Sequence, residues 1–331
     1  MIRNHDLWPA GLPDLKRELS LLLEQIPTRC VTTFGDLAAA LGHAQAAVWI
    51  AKELATGKYP LGHRVVRITG EVPSRGDEDF TRAAVELVSG GIDIVDGKVD
   101  LARYRFGNFN SDQPLAKLKA IQDQLAACID LRPLRRKLKR IAGLDVSYPD
   151  AETAVAACVI CDGRSAEVLE SFTVTVPVAF PYITGLLSFR EIPAYLKVIE
   201  AMQQAQADAD VWLVDGSGIL HHRSAGIATH LGLLLDIPTI GVSKSLLCGS
   251  VNLSQLDHTP AAPIVYNGET RGMAIKANPR SRPLYISPGH RISVEHAAEV
   301  VRNLFRDHRL PEPTYWADRL SRDQGTSGKE D

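Results

Sequence analysis

Three acids stand out for what surrounds them. Val211-Trp212-Leu213-Val214 is an apolar run that stops at Asp215 and is followed by Gly-Ser-Gly, the pattern of a buried strand ending in a carboxylate. Such a strand delivers its last side chain to the C-terminal edge of the sheet, where open α/β sheets place their chemistry. Arg140-Ile-Ala-Gly-Leu-Asp145-Val-Ser-Tyr148 is a second apolar run, broken by the single acid Asp145. Glu191 follows Phe189-Arg190, and a helix is expected from Ile192 to Gln204 with Pro193 in its first turn. An ionised carboxylate in a core strand is costly unless it meets a cation. Three on separate elements suggest a Mg²⁺ or Mn²⁺ site of the kind used to hydrolyse phosphodiesters. Alternatively, each acid caps the end of a helix or strand.

The elements that must position these acids can be read in order. Strands are expected at 140–148, 153–161 and 166–176, then a helix, a strand at 211–215, a helix at 224–235 and a strand at 238–243. Three antiparallel strands followed by alternating helix and strand make a mixed α/β sheet. A helix from Leu115 to Ile129 opens this unit. Arg132, Arg135, Arg136, Lys137, Lys139 and Arg140 crowd the stretch after it. They form either a solvated charge run or a phosphate contact, the second favoured because they lead into the Asp145 strand. The tail 321–331 is charged and contains Gly and Ser, so disorder is expected there.

A chain of 331 residues with 45% hydrophobic side chains is too long for one ordinary core, which points to two domains. The net charge of −2 does not advertise nucleic acid, so any basic surface must be local. Five cysteines with no disulfide spacing fit a reducing cytoplasm. Cys158 and Cys161 make one C-x-x-C inside an apolar run, which reads as buried strand rather than zinc site. No signal peptide or membrane span is recognisable.

The first domain is expected over 1–107, with a linker at 108–114 that follows Gly107 and is Asn-, Ser-, Asp-, Gln- and Pro-containing. Asp14 to Gln25 reads as an amphipathic helix, and a Thr before Phe34-Gly35-Asp36 offers a helix N-cap. Two short helices, 36–41 and 44–55, meet at Gly42-His43 in a helix-turn-helix outline.

Several blocks resemble the endonuclease V family in order and spacing. They are Asp145 in GLDVSY, PYITGLLSFREIP, VDGSG, GIATHLG, PTIGVSKSLL and SPGHRIS, and the likeness covers about residues 116–320. The resemblance implies an RNase H-like fold in a domain spanning 115–320. It also implies cleavage at the second phosphodiester 3′ of a deaminated adenine, leaving 3′-hydroxyl and 5′-phosphate ends. It assigns Asp145, Glu191 and Asp215 to Mg²⁺, for which Mn²⁺ can substitute, and adds Asp318 near the metal. His221 and Lys244 fall where the family has residues beside the scissile phosphate, although His222 stands where Pro usually follows. Tyr182 and Ile183 match the family's wedge, with Thr184 in place of its usual Pro. Gly185, Leu187 and Gly218 would line a pocket whose backbone groups meet hypoxanthine, where a carbonyl acceptor replaces adenine's amino donor.

IPTRCVTTFGDLAAALG and YPLGHRVVRITGEV resemble the DNA-binding domain of alkylguanine-DNA alkyltransferases, which have a winged helix-turn-helix. Gly62 occupies the position of the nucleophilic cysteine, ahead of His63-Arg64-Val65. A thiolate is needed to accept an alkyl group, so transfer is expected to be absent and the domain resembles the alkyltransferase-like proteins. Phe34 takes the place of the nucleotide-rotating tyrosine and Val48 that of the arginine filling the vacated stack. DNA contact through Phe34, Val48, Gly62 and Arg64 is what this likeness implies.

The expectation is a cytoplasmic, monomeric DNA repair nuclease carrying a non-catalytic DNA-binding module. Its substrate would be DNA containing deaminated adenine. An inosine-specific endoribonuclease is one alternative. A non-catalytic protein that binds alkylated-guanine DNA is another.

Overall fold

The computed structural model describes residues 3–73, 77–135 and 137–326. These fall into two compact units. The larger takes the described residues of Met1–Ala10, Ile121–Phe180 and Gly185–Asp331, and the smaller Gly11–Ala120 with Pro181–Thr184. No described helix is long and apolar enough to cross a membrane.

In the smaller unit α1 spans Leu15–Glu24, β1 Thr32–Thr33, α2 Phe34–Ala40, α3 Ala46–Leu54, β2 Val65–Val66, α4 Asp77–Ser89, β3 Ile94–Val95, β4 Lys98–Val99 and α5 Leu101–Tyr104. Asp14 caps α1 through the Arg17 N–H. Thr33 caps α2 in a reciprocal box with Asp36, which satisfies two of the amides a helix start leaves orphaned. Gly42, at φ +88°, makes the turn between α2 and α3, and a Cβ there would lie 2.7 Å from the Ala116 backbone nitrogen. This is the helix-turn-helix outline read from the sequence.

The expected linker at 108–114 is bound into this unit. Gln25 exchanges two hydrogen bonds with the Asn110 backbone, at 3.0 and 2.8 Å. Phe106 and Phe109 meet edge-on at 4.9 Å. The division therefore falls at 120/121, inside α6 (Pro114–Leu125). Composition alone could not show these pairings.

The larger unit is built on β5 (Arg140–Ser147), β6 (Thr153–Asp162), β7 (Val168–Pro177), α7 (Leu187–Gln204), β8 (Val211–Asp215), α8 (Ile227–Leu235) and β9 (Thr239–Ser243). The chain adds β10 (Ser250–Val251), β11 (Ala262–Tyr266), β12 (Glu269–Ile275), β13 (Leu284–His290), α9 (Val294–Asn303) and α10 (Glu312–Thr326). The sheet has nine strands in the order β10-β11-β12-β13-β9-β8-β5-β6-β7. β5, β8 and β9 run parallel and the other neighbours antiparallel.

Side chains alternate across the sheet with period two. Ala142, Leu144, Trp212 and Val214 pack with Ile192, Tyr195, Val198 and Ile199 of α7 and Ile227 and Leu231 of α8. Ile141, Val211, Leu213, Ile240 and Val242 pack on the other face with Ala297, Val300 and Val301 of α9. Ala157, Val159 and Cys161 of β6 meet Ala317 of α10. Cys158 and Cys161 are buried in β6, as the apolar run implied. Gly143 lets α10 come close, since a Cβ there would lie 2.2 Å from the Pro313 carbonyl.

Three expectations need correction. The helix carrying Glu191 begins at Leu187, so Pro193 lies inside it. Ser188, Phe189 and Ile192 are buried on its core face, and that packing outweighs the lost Pro193 hydrogen bond. The stretch 321–326 is helical, not disordered, because Ser321 is fully buried against the sheet; residues 327–331 lie outside the described residues. Residues 3–8 pack on the larger unit, not the first domain. Arg3 N–H and Asn4 Nδ2 donate to the carbonyls of Leu234 and Leu233, at 2.9 and 2.6 Å, which satisfies carbonyls that the end of α8 leaves open. Trp8 meets Phe189 and His230 at 5.5 and 5.3 Å.

Candidate active site

Register brings the first two acids together. The β5–β8 pairing ends at Leu144↔Val214, so Asp145 and Asp215 stand next to one another at the C-terminal edge, both on the face that α10 covers. Asp318 comes from α10. One oxygen each of Asp145, Asp215 and Asp318 lies within 4.8 Å of the others.

Lys244, just beyond β9, places Nζ 2.7 Å from Asp215 Oδ2 and 3.1 Å from Asp318 Oδ1. Burial lowers its basicity, but the two carboxylates outweigh that and raise its pKa. Asp145 is buried, and Ser321 donates its hydroxyl to Oδ2 at 3.0 Å. Burial, followed by the charge of Asp215, pushes the Asp145 carboxyl up to about 8.

Glu191, in the second turn of α7, lies outside the 4.8 Å group among the described residues. Burial, then the charges of Asp145 and Asp215, raises it to about 8 as well. Its oxygen Oε2 is 3.5 Å from the Tyr195 hydroxyl. The set therefore concentrates four carboxyl groups against the Lys244 ammonium and the Arg322 guanidinium, whose Nη2 is 2.9 Å from Asp318 Oδ1. An oxygen-only donor set with excess negative charge fits a hard divalent cation.

His221 is buried rather than surface-exposed. Its Nδ1 accepts the Arg223 N–H at 3.2 Å, which leaves Nε2 to carry the proton. Burial lowers its pKa to about 4, so the ring is neutral at pH 7.

The proposed base-reading residues divide between the units. Tyr182 is 59% exposed and lies in the smaller unit. Within that unit His43 Nε2 donates to the Thr184 carbonyl at 2.9 Å. Ile183 is buried, because its side chain packs inward while Tyr182 points out, and so it offers no wedge surface.

Gly185 and Leu187, in the larger unit, flank the start of α7. Gly185, at φ +83°, gives its carbonyl to Arg223 Nη2 at 2.7 Å. Gly218 does not hold free backbone groups for a base. Its N–H donates to Ser287 Oγ at 2.8 Å and its carbonyl accepts the Gly226 N–H at 3.1 Å. A Cβ at Gly218 would sit 2.1 Å from the Pro288 carbonyl oxygen, so this glycine permits close packing.

In the smaller unit Phe34 begins α2 and Val48 is exposed on α3. A Cβ at Gly62 would make ordinary van der Waals contact with Leu54 and Tyr59, each 3.8 Å away. Arg64 Nη1 donates to the Ile26 carbonyl at 3.0 Å, which ties one of its N–H groups inside the unit.

Sequence reasoning missed Ser321, Arg223 and Gln122. Arg223 donates to Gln122 Oε1 at 3.0 and 2.7 Å as well as to Gly185. The HHR triplet after VDGSG was the only local sign of that anchor.

Comparisons with known proteins identify the family of the larger unit. The Endonuclease V family model matches residues 123–319. The chain belongs to the endonuclease V family. The endonuclease V of Rippkaea orientalis is 37% identical over 218 residues, covering 66% of this chain and 94% of that protein. The endonuclease V of Azotobacter vinelandii is 39% identical over 217 residues, covering 65% and 96%. The catalytic domain of human endonuclease V superposes with a TM-score of 0.61 at 33% identity, over 66% of this chain and 98% of that one. A Ciona intestinalis endonuclease V, solved in complex with a 24mer DNA containing an inosine followed by a ribo-adenosine, gives 0.61 at 29%, over 66% and 100%. The endonuclease V likeness over 123–319 thus falls on the larger unit, whose sheet carries Asp145 and Asp215 and whose helices α7 and α10 carry Glu191 and Asp318.

Proposed function

We propose that the larger unit is a metal-dependent DNA repair endonuclease that hydrolyses the second phosphodiester 3′ of deoxyinosine. The observation that carries this reading is the convergence of Asp145, Asp215 and Asp318 within 4.8 Å. Asp145, Asp215 and Asp318, with Glu191 beside them, would hold Mg²⁺, which when bound polarises a phosphate oxygen and lowers the pKa of a water.

The chain's own residues do the rest. Ser321 fixes the Asp145 carboxylate by its hydrogen bond. Lys244 spans Asp215 and Asp318, and its ammonium supplies a point charge for phosphoryl oxygens. His221, neutral with its proton on Nε2, offers that N–H to a phosphate oxygen. Tyr182 is exposed and free to stack in the gap left by a rotated-out nucleotide.

We infer for the smaller unit a winged helix-turn-helix-like, alkyltransferase-like DNA contact without alkyl transfer. Gly62 leaves room for a side chain but supplies no thiol.

The test uses purified protein and end-labelled single strands carrying inosine in DNA, inosine in RNA or alkylated guanine in DNA, each with Mg²⁺ or EDTA. Mg²⁺-dependent nicking of inosine DNA is the expected result. Preference for inosine RNA would overturn the choice of substrate. Tight binding of alkylated guanine without any cutting would overturn the nuclease.

A further inference from the structure

The basic run before β5 is not absorbed by the active site. Arg140 pairs with Glu170 and Asp208. It precedes Asp145 by five strand positions, on the order of 17 Å at 3.3–3.4 Å each. The rest of the run therefore begins at the end of the sheet away from the carboxylates, so any phosphate it meets lies away from the acids. Arg136 lies outside the described residues.

What the run does build is a basic cavity. Arg132 and Arg135, with Asp130, Pro133, Leu134 and Arg291, line an open hollow of about 550 Å³. Arg291 follows β13, where His290 pairs with Thr239, the first residue of β9. Asp215 pairs instead with Val242 near the other end of β9. The cavity and the carboxylates thus sit at opposite edges of one sheet.

Its rim is held in place. Asp130 donates its N–H to the buried His290 Nδ1 at 3.3 Å and accepts the Arg291 N–H at 2.6 Å. Arg132 forks the Asp130 carboxylate through Nε and Nη2, at 3.0 and 2.7 Å. Arg291 Nη2 bonds Asp236 Oδ2 at 2.7 Å. These pairings orient two guanidiniums and leave each with further N–H donors. Arg135 has no partner among the described residues. Three arginines and the Asp130 carboxylate line the hollow, and Asp236 pairs with Arg291 beside it. This leaves an excess of one positive charge, carried by Arg135, on a chain whose total is −2. Planar guanidinium forks match phosphate oxygens.

We propose that this cavity is a second phosphate-binding site, which takes a backbone phosphate of the nucleic acid remote from the bond that is cut. The source of the phosphate rests on the nuclease reading above. The contact is indifferent to sequence and lesion, because phosphates carry no base information.

The experiment compares wild type, Arg135→Glu, Arg135→Lys and the control Lys197→Glu, an exposed reversal on α7. Fluorescence anisotropy in EDTA measures binding of matched inosine and unmodified oligonucleotides across a salt series, and calorimetry measures binding of inorganic phosphate. Arg135→Glu is expected to weaken both oligonucleotides alike, by about three- to tenfold, and to lower the salt slope by about one. Arg135→Lys should retain most of the affinity, and Lys197→Glu should change little.

Equal losses in Lys197→Glu and Arg135→Glu, or no loss in Arg135→Glu, would overturn the site. Loss of inorganic phosphate binding with oligonucleotide affinity intact would overturn the backbone source and leave a free-phosphate site. The readout needs no cleavage. A wild type that fails to cut inosine DNA but still shows the Arg135 effect would sink the nuclease reading alone.

Discussion

The Ser321 hydroxyl donates to Asp145 Oδ2 at 3.0 Å across 176 residues of sequence, and both side chains are buried. The Ser147 hydroxyl in turn donates to the Ser321 carbonyl at 2.7 Å, so the last helix and the central strand are tied twice beside the acids. A hydrogen bond to a buried carboxylate contributes about 1.5–3 kcal/mol. Ser321→Ala should therefore raise the Mg²⁺ concentration needed for half-maximal cleavage by roughly tenfold, with the rate at saturating Mg²⁺ largely kept. Ser321→Thr should recover part of the loss. A fall in the saturated rate with an unchanged metal midpoint would contradict a positioning role.

Asp145→Asn separates metal chemistry from folding. Asp145 shares its pocket with the carboxyls of Asp215, Asp318 and Glu191, and burial with the charge of Asp215 pushes it up to about 8. The variant should therefore raise the melting temperature in EDTA above that pH, where Asp145 would otherwise be a buried charge. Mg²⁺ should stabilise the wild type by mass action but leave this variant nearly unmoved. Cleavage should fall by at least about 100-fold while oligonucleotide binding persists. Thermal melts with and without Mg²⁺ give the answer, and full activity in the variant would remove Asp145 from the metal set.

Gly143 lies two residues before Asp145 on β5 and meets the start of α10. An added methyl would lie 2.2 Å from the Pro313 carbonyl and 2.5 Å from the Thr314 nitrogen. Those are backbone atoms that no rotamer change can move aside. Gly143→Ala should cost about 2–3 kcal/mol or more and should reduce activity as well, because α10 carries Asp318 and Ser321. Urea denaturation midpoints measure the first effect. A variant as stable as wild type would mean that α10 is free to shift.

His230 gives the larger unit a built-in acid sensitivity. Its Nε2 donates to the Leu7 carbonyl at 2.9 Å, and Nδ1 accepts from the Ser188 hydroxyl at 3.0 Å. Burial holds its pKa at about 4, below the usual 6.5. Between those values the unfolded chain binds the proton and the native ring does not, so stability falls as pH falls from about 6.5 to about 4. The gap corresponds to roughly 3 kcal/mol. His230→Gln should show a shallower decline over that window in urea titrations at stepped pH. Parallel curves would place the acid sensitivity elsewhere.

Asp145 and Asp215 were legible in the sequence because each interrupts or ends an apolar run, a strictly local signal. Glu191 was found, but its helix was entered too late because Pro193 resembles a helix opener. The buried Ser188, Phe189 and Ile192 decide the true start, and that is a matter of packing. The half of the sheet beyond β9 was not read. β11 to β13 are short and carry Pro263, Gly272, Pro288 and Gly289, residues that read as turns until neighbouring strands supply their pairing. Ser321 had no local signature at all, since its role exists only once α10 folds back onto β5. The family likeness placed Gly218 and Ile183 at the substrate, while in the structure Gly218 has both backbone groups bonded and Ile183 is buried.

The acid set draws on residues 145, 215 and 318, the last of them on the final described helix. During synthesis the ribosome has released the whole sheet before Asp318 and Ser321 can dock. A nascent chain therefore holds its acid cluster unassembled until α10 has been made, and a message cut short ahead of α10 yields a protein that lacks one of its three clustered acids.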